Sequence, residues 1–258
     1  MRYYRDEHET AYRAIVARGL TQWNDLFDDA VWTYDEFQNR AFLETVIPSL
    51  GLPAPAQARV LEYGCGTGPA ACFLAAQGFA VDAFDLIPEA IAIARRMAEE
   101  RGVRVGFRVA DICDLASEPA GDGYDLVLDS FCLQSIVTDE DRAALFAAVR
   151  ARLKPTGAYL ISTAIVTPER TYDPGTYDAD TGIVLRVVDS DADIEGVVTI
   201  EGRHVIPHRR HRTPDALRDE LTAAGFMVAS LDVTGTSADV VCRRATPVDT
   251  SESPAYSG

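Results

Sequence analysis

The chain has 258 residues, 47% of them hydrophobic, and a formal net charge of −16. That length supports one large core, or one domain with insertions. The negative balance counts against a general nucleic-acid binder, whose affinity comes mostly from neutralising phosphates, and no apolar run reaches the roughly 18 residues that cross a bilayer. The opening Met1-Arg2-Tyr3-Tyr4-Arg5-Asp6-Glu7 is charged and lacks the apolar stretch of a signal peptide, so a cytoplasmic location is expected. Five scattered cysteines (Cys65, Cys72, Cys113, Cys132, Cys242) form no C-x-x-C pair. They indicate neither a disulfide frame nor a metal site, and read as small apolar core residues.

Residues 2–50 read as helices. Ala41, Phe42, Leu43, Val46 and Ile47 supply an apolar face, and Pro48 with Gly51-Leu52-Pro53 ends the segment. Trp23, Phe27, Trp32, Tyr34 and Phe37 make this stretch aromatic. It is expected to form a helical cap over residues 1–52. Residues 53–57 are a proline-alanine linker into the main domain, expected over 53–245. Strands are predicted at 58–62, 80–85, 104–109, 124–128 and 157–163, and helices at 68–77, 88–101, 139–153 and 214–224. Strands alternating with helices of this length indicate parallel βαβ units.

Residues 164–212 interrupt that alternation. Gly182–Val188 and Val197–Ile200 read as a hairpin around the acidic run Asp189-Ser190-Asp191-Ala192-Asp193, an insertion after the fifth strand that is expected to act as a lid. A basic run follows, with Arg203, His204, His208, Arg209, Arg210, His211 and Arg212. It reads either as an anion site at the pocket rim or as a solvated edge paired with the acidic run, and the second is favoured. Thr213-Pro214 opens a helix with a side-chain cap and proline in the first turn. Phe226–Asp232 and Ala238–Arg243 follow as a terminal strand pair, and residues 246–258 read as a tail.

The densest signal is Val60-Leu61-Glu62-Tyr63-Gly64-Cys65-Gly66-Thr67-Gly68, followed by Asp85 at the end of the next strand. Glycines allow a sharp turn and a close ligand, and an acid at a strand tip accepts hydrogen bonds from a ribose diol. A dinucleotide fingerprint would place a third glycine where Pro69 stands. The E-x-G-x-G-x-G pattern instead resembles motif I of the class I S-adenosylmethionine (SAM) dependent methyltransferases. This resemblance covers about residues 55–163 well and 213–243 moderately.

It implies an α/β, three-layer Rossmann-like fold, with a seven-stranded, mostly parallel sheet whose last strand is antiparallel. It implies SAM as cofactor and no metal. Glu62, Tyr63, Gly64, Cys65 and Gly66 would hold the methionyl end. Asp85 would hold the ribose, Leu86 would lie beside the adenine, and Asp111 and Ile112 would flank it. Asp129 would pair with the ammonium, with Ser130 beside it. Gln134 would meet the acceptor, while Tyr34 or Tyr172 would close the pocket over the sulfonium. The tetrapeptides N-P-P-Y and D-P-P-Y, which mark methylation of planar amide or base nitrogens, are absent. The leading expectation is a methyltransferase for a small molecule, with no nucleic-acid or membrane partner and with homodimerisation allowed. Two other reactions stay open: closure of the SAM aminobutyryl arm to azetidine-2-carboxylate with release of methylthioadenosine, and NAD-dependent hydride transfer.

Overall fold

Alternate residues of each central strand pack into different cores, and this places helices on both faces of the sheet. In a computed structural model, residues 3–20, 34–119, 121–189 and 197–245 are described. Trp23, Phe27, Trp32, residues 190–193 of the acidic run and the tail 246–258 lie outside them, as does the side chain of Tyr34. The chain begins with α1 (Tyr3–Ala17) and the short α2 (Arg40–Val46). It then runs β1 (Arg59–Tyr63), α3 (Pro69–Ala76), β2 (Ala80–Asp85), α4 (Pro88–Glu100), β3 (Val105–Val109), β4 (Tyr124–Ser130), α5 (Asp139–Arg152) and β5 (Leu153–Ala164). Next come β6 (Ile183–Val187), β7 (Val198–Ile200), β8 (Arg203–Arg210), α6 (Pro214–Ala223), β9 (Phe226–Thr234) and β10 (Ser237–Arg244).

The main sheet has seven strands in the order β3-β2-β1-β4-β5-β10-β9. β1 to β5 pair in parallel, and β10 lies antiparallel between β5 and β9. The order reverses at β1 and β4, and in such sheets ligands sit outside the strands' carboxyl ends at this switch point. Val60, Leu126, Leu128 and Leu160 point into a core with α2, α3 and α4. Leu61, Tyr63, Val127, Tyr159 and Ile161 point into a second core with α5 and α6. Side chains alternate faces along a strand, so strands covered on both sides read as continuous apolar runs. Thr213 caps α6 by accepting from the Ala216 N–H at 3.2 Å, with Pro214 at the first turn. No helix among the described residues is long and apolar enough to cross a membrane.

The insertion differs from the expected hairpin. It is a three-stranded antiparallel sheet in the order β6-β8-β7, so the basic run is its central strand rather than an edge. Val205 and Ile206 are buried and anchor it. The strand is broken by a bulge: Leu185 faces Pro207 and Val184 faces Arg209, leaving His208 as the extra residue. Proline has no N–H for the ladder, and bulges accommodate it. The flanking loop is tied down as well: Tyr172 stacks on Tyr177, with ring centroids 4.3 Å apart.

Candidate active site

β1 ends at Tyr63, and the chain turns through Gly64, Gly66 and Gly68 with φ of 59°, 54° and 79°. These left-handed angles strain any residue with a Cβ. Space forbids one too: at Gly64 it would lie 2.3 Å from Cys132 Sγ, and at Gly66 2.7 Å from the Tyr12 hydroxyl. Gly68 then caps α3, with Pro69 at its first position. A helix's first N–H groups have no partner within the helix, so proline loses nothing there.

Three buried acids line one cleft with this turn: Glu62, Asp85 and Asp111. Asp85 accepts from Gly66 N–H at 2.8 Å and from Ile87 N–H at 2.9 Å, locking the glycine turn to the start of α4. Burial pushes its carboxyl up to about 6 against these two hydrogen bonds, and nearby Asp111 adds to the rise. Asp111 accepts from Cys113 N–H at 2.9 Å. Glu62 is 1% exposed, and its Oε2 has no hydrogen-bond partner. Burial drives its carboxyl up to about 8, with Asp129 and Asp85 adding to the rise, while hydrogen bonds from Ser130 and the Ala71 backbone oppose it. An orphaned carboxylate oxygen on a cleft wall suits an ammonium, and acids at strand tips suit a diol. Leu86, Ala110 and Ile112 give the same cleft an apolar wall.

The cleft holds about 300 Å³, within the range of small-ligand sites. Its far wall is the segment after β4. Among the described residues, Phe131 is one of two non-glycine residues with positive φ, at 65°. Its N–H donates to Ser162 O at 2.8 Å. Ser130 lines the cleft and accepts from Asn39 Nδ2 at 3.1 Å. Gln134 also lines it, its Oε1 accepting from Ala164 N–H at 2.7 Å.

Three expected contact residues, Asp129, Tyr63 and Tyr172, lie outside this lining. Asp129 is fully buried, and both its oxygens are committed: Oδ1 to Cys132 N–H at 2.7 Å, Oδ2 to Leu133 N–H at 2.9 Å and to the Tyr63 hydroxyl at 2.5 Å. The Tyr63 hydroxyl also lies 2.5 Å from that of Tyr159. Asp129, whose carboxyl burial pushes up to about 7, therefore holds the 131–133 turn from below instead of meeting an ammonium. The Tyr63 side chain belongs to that support rather than to the cleft wall. Tyr172 is also elsewhere, its hydroxyl 2.8 Å from His211 Nδ1. Burial pulls the His211 imidazole down to about 3, with Arg170, Arg209 and His208 adding to the fall, so the ring is neutral.

The sequence reading passed over part of the lining: His8 and Tyr12 of α1, and Gln38 and Asn39 ahead of α2. Phe37 of the aromatic stretch and Arg209 of the basic run line the cleft beside them. His8 and Tyr12 stand four residues apart on a helix, which places them on one face. That spacing was the available signal.

Residues 60–157 match the family profile described as Methyltransferase domain. Over those residues the chain is similar to a methyltransferase domain. It is 40% identical over 114 residues to a ubiquinone biosynthesis O-methyltransferase of Xanthomonas axonopodis pv. citri, covering 44% of this chain and 46% of that one. The chain thus matches about half the length of its curated relatives. Among solved structures it is similar to a SAM-dependent methyltransferase from Clostridium acetobutylicum (TM-score 0.62, 15% identity, 91% of this chain and 99% of that one). It is also similar to the Burkholderia thailandensis 1,6-didemethyltoxoflavin-N1-methyltransferase (TM-score 0.60, 21% identity, 94% and 89%), solved with its acceptor and S-adenosylhomocysteine bound. At these identities the likeness shows the class I methyltransferase fold, and the glycine turn and the acids of this chain line one cleft of it.

Proposed function

We propose that the cleft binds SAM and that the protein transfers its methyl group to a small-molecule acceptor. The observation that carries this reading is the orphaned, buried Oε2 of Glu62 beside a glycine turn that admits no Cβ. When bound, the cofactor supplies a methyl carbon activated by a positively charged sulfur. Glu62 would accept from the ammonium, Asp85 from the ribose hydroxyls and Asp111 from the adenine amino group, with Leu86 and Ile112 against the ring. Pro69 removes a backbone donor at the start of α3, and together with the acidic lining this disfavours a dinucleotide pyrophosphate, which needs N–H groups and positive charge there.

Methyl transfer is an in-line displacement, so the protein's task is alignment of nucleophile, methyl and sulfur. Gln134, His8 and Arg209 are among the polar groups of the remaining cleft wall, and Phe37 and Phe131 among its aromatic faces. This lining fits an acceptor with a planar apolar body and an oxygen or nitrogen nucleophile. The matched relatives named as O-methyltransferases support oxygen. A hydroxyl acceptor must lose its proton, and His8 is the one imidazole among the described lining residues.

Incubation with SAM, with and without a panel of phenols and enols, tests the reading. S-adenosylhomocysteine that appears only with an acceptor is the expected product. Methylthioadenosine formed from SAM alone would instead establish the ring-closing reaction.

A further inference from the structure

We infer that Glu7 is a positioning residue, which fixes α1 across the cleft mouth by bridging to the bulge of β8 and so holds Tyr12 against the glycine turn. Glu7 Oε2 lies 3.1 Å from His208 Nδ1 and accepts from Arg209 Nη1 at 3.1 Å, while Oε1 accepts from Arg209 Nη2 at 3.4 Å. Consecutive side chains of a regular strand point to opposite faces. Here two neighbours reach one carboxylate, because His208 is the extra residue of the bulge opposite Val184 and Leu185. Bulges re-aim side chains in this way. Arg209 is further held by its own donation to His208 O at 2.8 Å.

The side chains of Glu7, His208 and Arg209 are 22%, 24% and 14% exposed, so the contact is partly withdrawn from water. Burial alone would raise the Glu7 carboxyl, but hydrogen bonds and charge from His208 and Arg209 outweigh it and hold it down at about 2. The other end of α1 is anchored differently. Tyr12 and Ile15 pack on Ile87, Ala90 and Ile93 of the α4 region, in a small cluster separate from the two main cores. The helix is therefore strapped to the SAM-side helix by an apolar seam and to the three-stranded sheet by Glu7, with the cleft between. Its Tyr12 hydroxyl occupies the space beside Gly66. An element with so few core contacts opens locally, and lids of this kind govern ligand exchange.

The geometry of the strap stands by itself, whereas its effect on cofactor exchange rests on the SAM reading. Hydrogen–deuterium exchange on the full chain without ligand tests the first, with Glu7→Ala and the shape-preserving Glu7→Gln. Amides of 3–17 should exchange about tenfold faster in Glu7→Ala and less so in Glu7→Gln, with α4 and α5 unchanged. Equal exchange in all three proteins, or an acceleration spread evenly over α4 and α5, would overturn the inference. Stopped-flow release of S-adenosylhomocysteine tests the second. In Glu7→Ala, release should quicken about tenfold and the KM for SAM should rise with little change in kcat. Unchanged release and KM would overturn the role in exchange. If S-adenosylhomocysteine does not bind the unaltered protein, the SAM reading fails, and the exchange experiment still decides the strap.

Discussion

Replacing Glu62 by Gln should make the protein more stable at alkaline pH while weakening its hold on SAM. Glu62 is 1% exposed and its carboxyl is raised by burial from 4.5 to about 8. Between those values the folded protein keeps a proton that the unfolded chain has released, so stability falls as pH rises from 4.5 towards 8. Each unit is worth about 1.4 kcal/mol, so the 3.5-unit rise sets a ceiling of about 5 kcal/mol at pH 8. Gln has no such proton to lose. Urea unfolding of both proteins without ligand, from pH 5 to 9, should show similar stability at pH 5 and a growing advantage for Glu62→Gln up to pH 8. Asp85 and Asp129, raised by burial to about 6 and 7, slope the same way in both proteins and cancel in the difference. The same change removes the charged partner of an ammonium, worth about 1.5–3 kcal/mol, or roughly 10- to 150-fold in affinity. A Glu62→Gln protein that is no more stable than its parent at pH 8, or that binds S-adenosylhomocysteine equally well, would refute the reasoning.

Gly64→Ala places a Cβ 2.3 Å from Cys132 Sγ and 2.5 Å from its Cβ at a φ of 59°. It should lower the melting temperature and abolish cofactor binding, and Cys132→Ala should fail to rescue it because the second clash persists. Asp85→Asn keeps only one acceptor for the Gly66 and Ile87 amides. Calorimetry should show affinity for S-adenosylhomocysteine reduced about tenfold or more, and an unchanged constant would remove Asp85 from the ribose site. Glu220→Ala strands Arg142, 2% exposed, which Glu220 binds through two hydrogen bonds and which donates to Leu133 O and Ile136 O at 2.9 and 3.0 Å. Denaturant unfolding should show a loss of about 3–5 kcal/mol, and a loss under about 1 kcal/mol would show that water reaches the guanidinium.

The parallel layer was legible because its signals are local. The apolar runs ending at Tyr63 and Asp85, the glycines between them and the Thr213-Pro214 cap each depend on neighbours in sequence. The sheet order was not local, and only the structure shows it bringing the strand tips together, with Asp85 at the Gly66 amide. Strand β8 was hidden: Pro207 and five basic residues mask a strand whose only apolar pair is Val205 and Ile206. Tyr12 was equally hidden, since its place beside Gly66 depends on a packing contact far along the chain. Asp129 shows the opposite failure. A strand-end acid announces a ligand or a loop support equally well, and only the Cys132, Leu133 and Tyr63 hydrogen bonds distinguish the two. Gln134 and Ser130 reach the cleft because that supported turn carries them there.

Calorimetric titration of the full chain with S-adenosylhomocysteine at pH 8, close to the value of about 8 to which burial raises the Glu62 carboxyl, bears most directly on the cleft as a SAM site. One molecule should bind per chain, with the binding lost in Gly64→Ala. No heat of binding at millimolar ligand in the folded, unaltered protein would contradict that assignment.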